Sequence, residues 1–226
     1  MRRSSIYALA MCAAVSLPVT ARAGSVDLCG GAAGWTASWD NSLDGLVQII
    51  AADCSQLAAG RVFIEKSAEF TQPPVNGVFP GVNIVFNQTA VTNVIRLIIE
   101  DEIITNSTGQ PWSGFNMVLS GPAVFDPAAT AVSGGPAPIG FSIAPFTAAG
   151  FSNANTRLDI SGGVVANGAI WFPGGGISDG ELHIVATPNP GAPFATFTLT
   201  ETPTPEPSAL TLLALGAVAV LWQRRK

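Results

Sequence analysis

Three consecutive acidic residues, Glu100, Asp101 and Glu102, form one group of side chains in this sequence whose types could do chemistry. On a β-strand Glu100 and Glu102 would share one face, with their Cα atoms ~6.6–7 Å apart. Paired carboxylates can carry out glycoside hydrolysis, so a glycoside hydrolase is one alternative. An adjacent acidic run more often forms a solvated face or strand edge, where charge blocks association between sheets, and we favour that interpretation.

His183 is the single histidine of the chain, and a Ser-His-Asp triad needs only one. Its surroundings, ELHIVAT, alternate as strand residues do, and the sequence has no G-x-S-x-G motif. We therefore interpret His183 as a structural or surface residue and expect the protein to have no catalytic residue.

The stretch WDNSLDG begins like a calcium loop, with Asp40, Ser42 and Asp44 at alternate positions. The twelfth position of such a loop is occupied by Ala51 instead of the bidentate glutamate that calcium loops require. We favour a turn here, with weak calcium binding as the alternative, and we expect neither a metal nor a cofactor.

Four tryptophans, Trp35, Trp39, Trp112 and Trp171, could stack on sugar rings if they are exposed. This possibility makes a carbohydrate-binding module the second alternative. Core packing is the commoner position for a tryptophan in a β-sandwich.

Cysteine usage favours an oxidising compartment. Cys12 lies in a predicted signal peptide, which leaves Cys29 and Cys54, an even pair that we expect to form a disulfide. Two buried thiols are the alternative. Two cysteines and one histidine disfavour a zinc site, because such sites need three or four soft ligands.

Short strands separated by turn residues should position all these side chains. β-branched and aromatic residues dominate the predicted strands, which cover residues 46–52, 61–70, 82–91, 94–105, 113–121, 139–144, 156–161, 169–173, 181–187 and 194–201. We prefer a strand to a helix for 46–52. Between 94–105 and 113–121, the turn NSTGQPW predicts a β-hairpin with Gly109 at positive φ. The pattern predicts an all-β protein with one β-sandwich or jelly-roll-like domain.

Composition excludes one class of partner. Six of the ten Lys and Arg residues lie at the two ends, whereas all fifteen Asp and Glu lie between residues 24 and 207, so the middle carries a net charge of −11. Nucleic-acid affinity comes largely from Lys and Arg neutralising phosphates, so we exclude nucleic acid.

The N-terminus has the order of a secretory signal peptide. Arg2 and Arg3 precede an apolar run, and Ala21 and Ala23 form an A-x-A cleavage site. The run is too short for a stable membrane span, which needs ~20 residues. A twin-arginine signal is the alternative that we rank lower. We predict residues 1–23 as the signal peptide, removed by signal peptidase.

The C-terminus combines three features in order. Pro205, Glu206 and Pro207 are followed by an apolar run that could form a membrane helix, and Arg224, Arg225 and Lys226 end the chain. Terminal cations hold that side of a membrane helix in the cytoplasm. We predict residues 24–201 as the exported domain, 202–207 as a proline-rich linker, and 208–226 as the membrane helix and basic tail.

This C-terminal arrangement resembles the PEP-CTERM sorting signal of Gram-negative bacteria. The resemblance implies recognition by an exosortase-type enzyme, export across the inner membrane, transient anchoring, and release to the outer surface or medium. The resemblance says nothing of the chain's own chemistry. From the sorting tail and the lack of a catalytic constellation we expect a non-catalytic envelope or extracellular-matrix protein, with association with exopolysaccharide as a further hypothesis. The same tail ends some ice-binding proteins, but this chain shows no repeat of fixed period, which an ice-binding solenoid would require.

Overall fold

The structure is a computed structural model, and it describes residues 24–175 and 178–206. One short helix, α1, covers Pro127–Ala131, and single 3₁₀ turns cover Leu28–Gly31, Asn41–Leu43 and Leu57–Ala59. The strands are β1 (Gly24–Asp27), β2 (Trp35–Trp39), β3 (Val47–Asp53), β4 (Arg61–Phe70), β5 (Val82–Gln88), β6 (Arg96–Asn106), β7 (Trp112–Ser120), β8 (Ala123–Phe125), β9 (Ala148–Ser152), β10 (Arg157–Val165), β11 (Ile170–Trp171), β12 (Leu182–Ala186) and β13 (Thr196–Pro205).

These strands form two sheets. The seven-stranded sheet has the order β1-β2-β5-β13-β7-β10-β9, and the six-stranded sheet has the order β3-β4-β6-β12-β8 with β11 also paired to β6. The β4–β6 pair is parallel, whereas the other strand pairs are antiparallel. Between β4 and β6 the chain crosses to the other sheet to form β5, and this crossing lets β4 and β6 run in the same direction.

The two sheets pack face to face through aromatic side chains. Phe70 of β4 lies edge-on to Trp112 and Phe115 of β7, with ring centroids 5.3 and 5.7 Å apart. Phe115 in turn contacts Trp171 of β11 at 5.0 Å. Edge-to-face pairs of this kind add to the stabilisation that burial of the rings provides. The core is therefore shared by both sheets.

The all-β prediction is confirmed, because strands in two sheets make up most of the described fold; four of them, β1, β2, β8 and β9, were not predicted. The preference for a strand near residues 46–52 is also confirmed, since β3 covers Val47–Asp53 and pairs with β4.

The predicted hairpin between residues 94–105 and 113–121 is wrong. Gly109 has the expected positive φ of 83°, but β6 and β7 belong to different sheets. Asn106, fully buried, holds the corner between them: its Nδ2 donates to the carbonyls of Gln110 (2.9 Å) and Val165 (3.0 Å), and its Oδ1 accepts from Thr108. This network fixes the chain as it passes from one sheet to the other.

The predicted strand at 139–144 is wrong as well. Ile139, Phe141 and Ile143 are buried alternately, as the pattern required, but only Phe141 makes a single β-bridge, to Gly180. Gly140 has a φ of 80° and approaches the carbonyl of Thr130 too closely for any Cβ. Alternate burial therefore occurs here in a loop, since burial alone does not supply a neighbouring strand.

The predicted linker at 202–207 is largely part of the sheet. Thr202, Pro203, Thr204 and Pro205 are the last four residues of β13 and pair with β7. The proline content suggested a free linker, but proline is tolerated where a strand has a neighbour on only one side. The described body therefore extends to the first residue of the Pro-Glu-Pro motif.

Two predicted segments lie outside the described residues. They are the signal peptide, with its Ala21–Ala23 cleavage site, and the C-terminal helix with Pro207, Arg224 and Arg225. Within 24–175 and 178–206, no helix is long and apolar enough to cross a membrane.

Candidate functional site

The last strand connects the body to the C-terminal motif. As far as Glu201, β13 is paired on one side with β5 and on the other with β7. Beyond Glu201 only β7 continues, and Ser113 donates its hydroxyl to the carbonyl of Pro205 at 2.9 Å. Asn116 Nδ2 donates to Thr204 Oγ1 at 3.2 Å. The chain is thus fixed as far as Pro205.

Glu206 follows the strand and is exposed. Of the three motif residues, Pro205 is therefore held in the sheet and Glu206 is presented to solvent directly beside it. An enzyme that acted at this motif would reach the chain immediately outside the folded body, with no intervening spacer.

A buried cluster of charges lies between the sheets near the same strand. Lys66 of β4, Glu102 of β6 and Glu201 of β13 are each at most 1% exposed. Lys66 Nζ donates a hydrogen bond to Glu201 Oε1 and lies 3.1 Å from Glu102 Oε2. Lys66 and Glu102 are register partners in the parallel pair, so one cation from the six-stranded sheet joins carboxylates of both sheets.

Burial controls the protonation of this cluster. Desolvation, helped by the neighbouring carboxylate of Glu201, raises the pKa of Glu102 to about 8, although Lys66 acts in the opposite direction. Desolvation alone would lower the pKa of Lys66, but Glu102 and Glu201 together hold it above its usual value. At neutral pH the arrangement that avoids excess buried charge is a protonated Glu102 beside a Lys66–Glu201 ion pair.

Several polar atoms of the cluster have no hydrogen-bond partner. Both carboxyl oxygens of Glu102 and Oε2 of Glu201 are buried without one in the described structure, although Glu102 Oε2 lies within salt-bridge distance of Lys66. Such groups are costly to bury, so the position of this cluster in the interior requires an explanation.

The acidic run does not form the pair that the sequence suggested. A bulge between residues 64 and 65 of β4 and residues 99 and 101 of β6 leaves Glu100 unpaired and reverses the alternation of β6. As a result Glu102 points into the core while Glu100 stays partly exposed. Partial burial and the nearby Asp101, Glu181, Glu65 and Asp53 raise the pKa of Glu100.

An open groove of about 410 Å³ lies on the outer face of the six-stranded sheet beside this run. Phe172, Ile50 and Ile103 supply apolar surface, and their side chains are 51%, 44% and 39% exposed. The remaining lining residues are Glu65, Asp101, Glu102 and Gly175.

His183 is buried and hydrogen-bonded to its neighbours. Its Nε2 lies 3.0 Å from Glu181 Oε2, and its backbone N–H donates to Thr130 Oγ1. Burial lowers the pKa of His183, while Glu181 raises it less. No serine hydroxyl bonds its ring in the described structure, since Ser133 Oγ bonds backbone groups of Thr130, Gly140 and Glu181.

The calcium-like stretch forms a turn. Asp40 Oδ1 accepts from the backbone N–H and the hydroxyl of Ser42, which lowers the pKa of Asp40. Asp44 Oδ1 accepts from the Trp39 indole at 3.2 Å. Among the described residues, no group of three or more His, Cys, Asp or Glu side chains could hold a metal ion.

Core packing, the position that we favoured for the tryptophans, is confirmed for three of the four, which excludes these three from an exposed sugar platform. Trp35, Trp112 and Trp171 are at most 2% exposed and pack in the core, whereas Trp39 is half-buried. Large flat rings fill the space between two sheets efficiently, which explains why these side chains are buried in the core.

The predicted disulfide is confirmed. Cys29 and Cys54 are bonded with their Cα atoms 5.8 Å apart. Cys29 follows β1 at one edge of the seven-stranded sheet, and Cys54 follows β3 at one edge of the six-stranded sheet. The bond therefore ties an edge of one sheet to an edge of the other.

The sequence analysis did not predict that the side chains of Lys66 and Glu201 are buried, although the alternation of apolar residues in their strands indicates it. Lys66 continues the buried series Val62, Ile64, Ala68 and Phe70 of β4 at the same spacing of two. A charge on the apolar face of a strand marks a buried ion cluster, and Glu201 continues the series of Phe197 and Leu199 in the same way.

The fold and its last strand define a class: two-sheet β-proteins whose closing strand runs directly into a C-terminal Pro-Glu-Pro extension. Residues 203–226 match a family model described as the PEP-CTERM protein-sorting motif, so the chain carries this sorting motif. The match includes the end of β13 as well as the extension beyond it. Neither the curated proteins nor the solved structures contain a match to this chain.

Proposed function

We propose that this protein is an exported envelope or extracellular-matrix protein whose body is a single, non-catalytic β-sandwich domain sorted through its C-terminal motif. The proposal depends on one observation: the PEP-CTERM motif begins within β13, the last strand of the seven-stranded sheet in chain order. Signal peptidase and an exosortase-type enzyme are its processing partners. Residues 1–23 direct export and are removed, and residues 208–226 anchor the body transiently before it reaches the outer surface or the medium.

Support for a non-catalytic role comes from the contacts of the residues that the sequence suggested as candidates for catalysis or metal binding. His183 bonds Glu181, Asp40 caps a turn, and Glu102 faces Lys66 in the core. Each of these side chains has a partner that explains its position without a substrate.

The sorting proposal is tested by fractionating cells that express the full chain or a chain ending at Glu206. Ending at Glu206 keeps β13 complete, so both forms should fold alike. We expect the full chain at the membrane or outer surface and the shortened chain in the periplasm or medium. A full chain in which Arg224 and Arg225 are replaced by alanine should accumulate like the shortened form. Identical distribution of all three proteins would contradict the proposal.

We also propose that the body associates with exopolysaccharide at the groove that contains Phe172. An aromatic ring beside apolar Ile50 and Ile103 offers a surface on which a sugar ring can stack. Glu65 and Asp101 line the groove, so it suits an uncharged or amino-sugar polymer better than an anionic one.

Phe172→Ala tests this site by co-sedimentation with neutral, amino-sugar and anionic polysaccharides. We expect binding of the wild type to the first two classes and a loss of about tenfold in the variant, because one stacked ring contributes roughly 1–1.5 kcal/mol. Phe194→Ala is the matched control, since Phe194 is also exposed but does not line the groove. Equal binding by both variants would place any polysaccharide site elsewhere.

A further inference from the structure

The buried cluster of Lys66, Glu102 and Glu201 brings an amine and two carboxyl groups together in the interior. We propose that Lys66 and Glu201 condense into an intramolecular amide that joins the two sheets covalently, with Glu102 moving the proton. This modification is independent of sorting and of polysaccharide binding.

The geometry supplies all three participants. Lys66 Nζ is hydrogen-bonded to Glu201 Oε1, so the nucleophile already touches the carboxyl group that it would attack. Glu102 Oε2 lies 3.1 Å from the same nitrogen, within reach for proton transfer. Lys66 and Glu201 are 135 residues apart in sequence but are fixed by β4 and β13, so no chain motion is needed to bring them together.

The step begins with transfer of one proton from Lys66 Nζ to Glu201, which leaves a neutral amine beside a neutral carboxylic acid. The Nζ lone pair then adds to Cδ of Glu201, the C–N bond forms, and one C–O bond of that carboxyl group breaks. Protonated Glu102 gives a proton to the departing hydroxyl and accepts one from Nζ. One water molecule leaves, Glu102 ends as it began, and no oxidant or other reactant is consumed.

The surroundings favour the product. All three side chains are at most 1% exposed, so the water that would hydrolyse an amide is excluded. Condensation also removes two buried charges and replaces them with a neutral amide, whose burial is far less costly. Burial keeps Glu102 protonated near neutral pH, which is the state needed for its role.

The proposal is tested by the intact mass of the full chain purified from the compartment to which it is exported, after reduction of the disulfide. We expect a mass lower by one water molecule than that of the mature sequence. A mass equal to that of the uncondensed sequence would overturn the proposal and leave the cluster as a buried ion network.

Tryptic mapping locates the bond. Amide formation blocks cleavage after Lys66, so we expect one branched peptide that joins residues 62–96 to the peptide beginning at residue 158, which contains Glu201. A branched peptide joining 62–96 to 97–157 would show a bond to Glu102 and would overturn the assignment to Glu201. Cleavage after Lys66 in all molecules would exclude any amide at this lysine.

Two variants separate the roles. Lys66→Met removes the nucleophile while keeping side-chain length, and it should have the full, uncondensed mass. Glu102→Gln keeps the size of the side chain but cannot relay a proton, so we expect at least a tenfold slower appearance of the condensed species after synthesis. Condensation of Glu102→Gln at the wild-type rate would contradict the role of Glu102, and this readout remains available if Lys66→Met does not fold.

Discussion

Glu102 shows how a single residue departs from its sequence neighbours. It belongs to an acidic triplet that the sequence pattern predicts to be exposed to solvent, yet its carboxyl group is buried beside Lys66 and Glu201. The bulge at Glu100 could not be predicted from the sequence, because an inserted residue leaves no mark in a run of similar side chains. Lys66 and Glu201 could have been placed inside from their spacing, since the apolar positions around them share the same parity.

The raised pKa of Glu102 predicts that the protein loses stability as the solution becomes more alkaline. The ordinary pKa of this carboxyl group is 4.5 and its folded value is about 8, so between these values the folded state binds more protons than the unfolded state. The free energy of unfolding therefore falls as pH rises through this range. The sign is the same with or without an amide at Lys66, because Glu102 remains buried in both cases.

Thermal melts of the wild type and Glu102→Gln from about pH 5 to pH 9 check this expectation. We expect the melting temperature of the wild type to fall by roughly 5 °C or more relative to the variant over this range. His183, whose pKa burial lowers, contributes with the opposite sign below its ordinary pKa of 6.5, but it is present in both proteins and cancels in the difference. Parallel pH profiles for the two proteins would contradict the buried acid.

At the scale of elements, periodicity predicted which segments are strands more reliably than which strands are neighbours. β3, β4 and β7 lie close to their predicted bounds because alternate apolar residues mark a sheet face. The parallel partnership of β4 and β6, and the passage of the chain from β6 to β7 in the other sheet, depend on contacts such as those of Asn106. Those contacts join residues far apart in sequence, and local patterns do not encode them.

The disulfide between Cys29 and Cys54 should contribute measurably to the free energy of unfolding, because it ties an edge of one sheet to an edge of the other. Closing a loop of 25 residues stabilises a fold by about 3–4 kcal/mol on the chain-entropy model. The double variant Cys29→Ser, Cys54→Ser should lose an amount of this order in the free energy of unfolding, measured by denaturant titration. Reductant should destabilise the wild type equally and leave the variant unchanged. An equal denaturation midpoint for the variant and the wild type would mean that the disulfide does not stabilise the fold.

At the scale of the whole molecule, the C-terminal boundary of the folded domain that we predicted from composition, residue 201, is too early. Thr-Pro-Thr-Pro reads as a stiff spacer, but pairing with β7 incorporates Thr202–Pro205 in the sheet. The tertiary partner overrides the local preference here, since one-sided pairing leaves room for residues without an N–H. The unit that should fold without the ends is therefore 24–206, longer than the predicted domain 24–201.

Comparison of fragments 24–206 and 24–201 tests this boundary. The longer fragment should show a strand-dominated circular dichroism spectrum and a single cooperative melt. The shorter one loses the pairing of four residues with β7 and the bonds from Ser113 and Asn116, so we expect its free energy of unfolding to be lower by about 2 kcal/mol or more. Equal stability would show that the end of β13 contributes nothing. Two separate melts of the longer fragment would contradict a single domain.

The position of β13 also determines how the molecule responds to mechanical tension. A pull at Glu206, along the axis of β13, loads the hydrogen bonds to β5 and β7 together in shear. An edge strand such as β1, pulled sideways, would instead unzip from β2 one bond at a time. A pull through the C-terminus therefore loads the pairing of β13 with both of its neighbours, β5 and β7, before it reaches the edge strands.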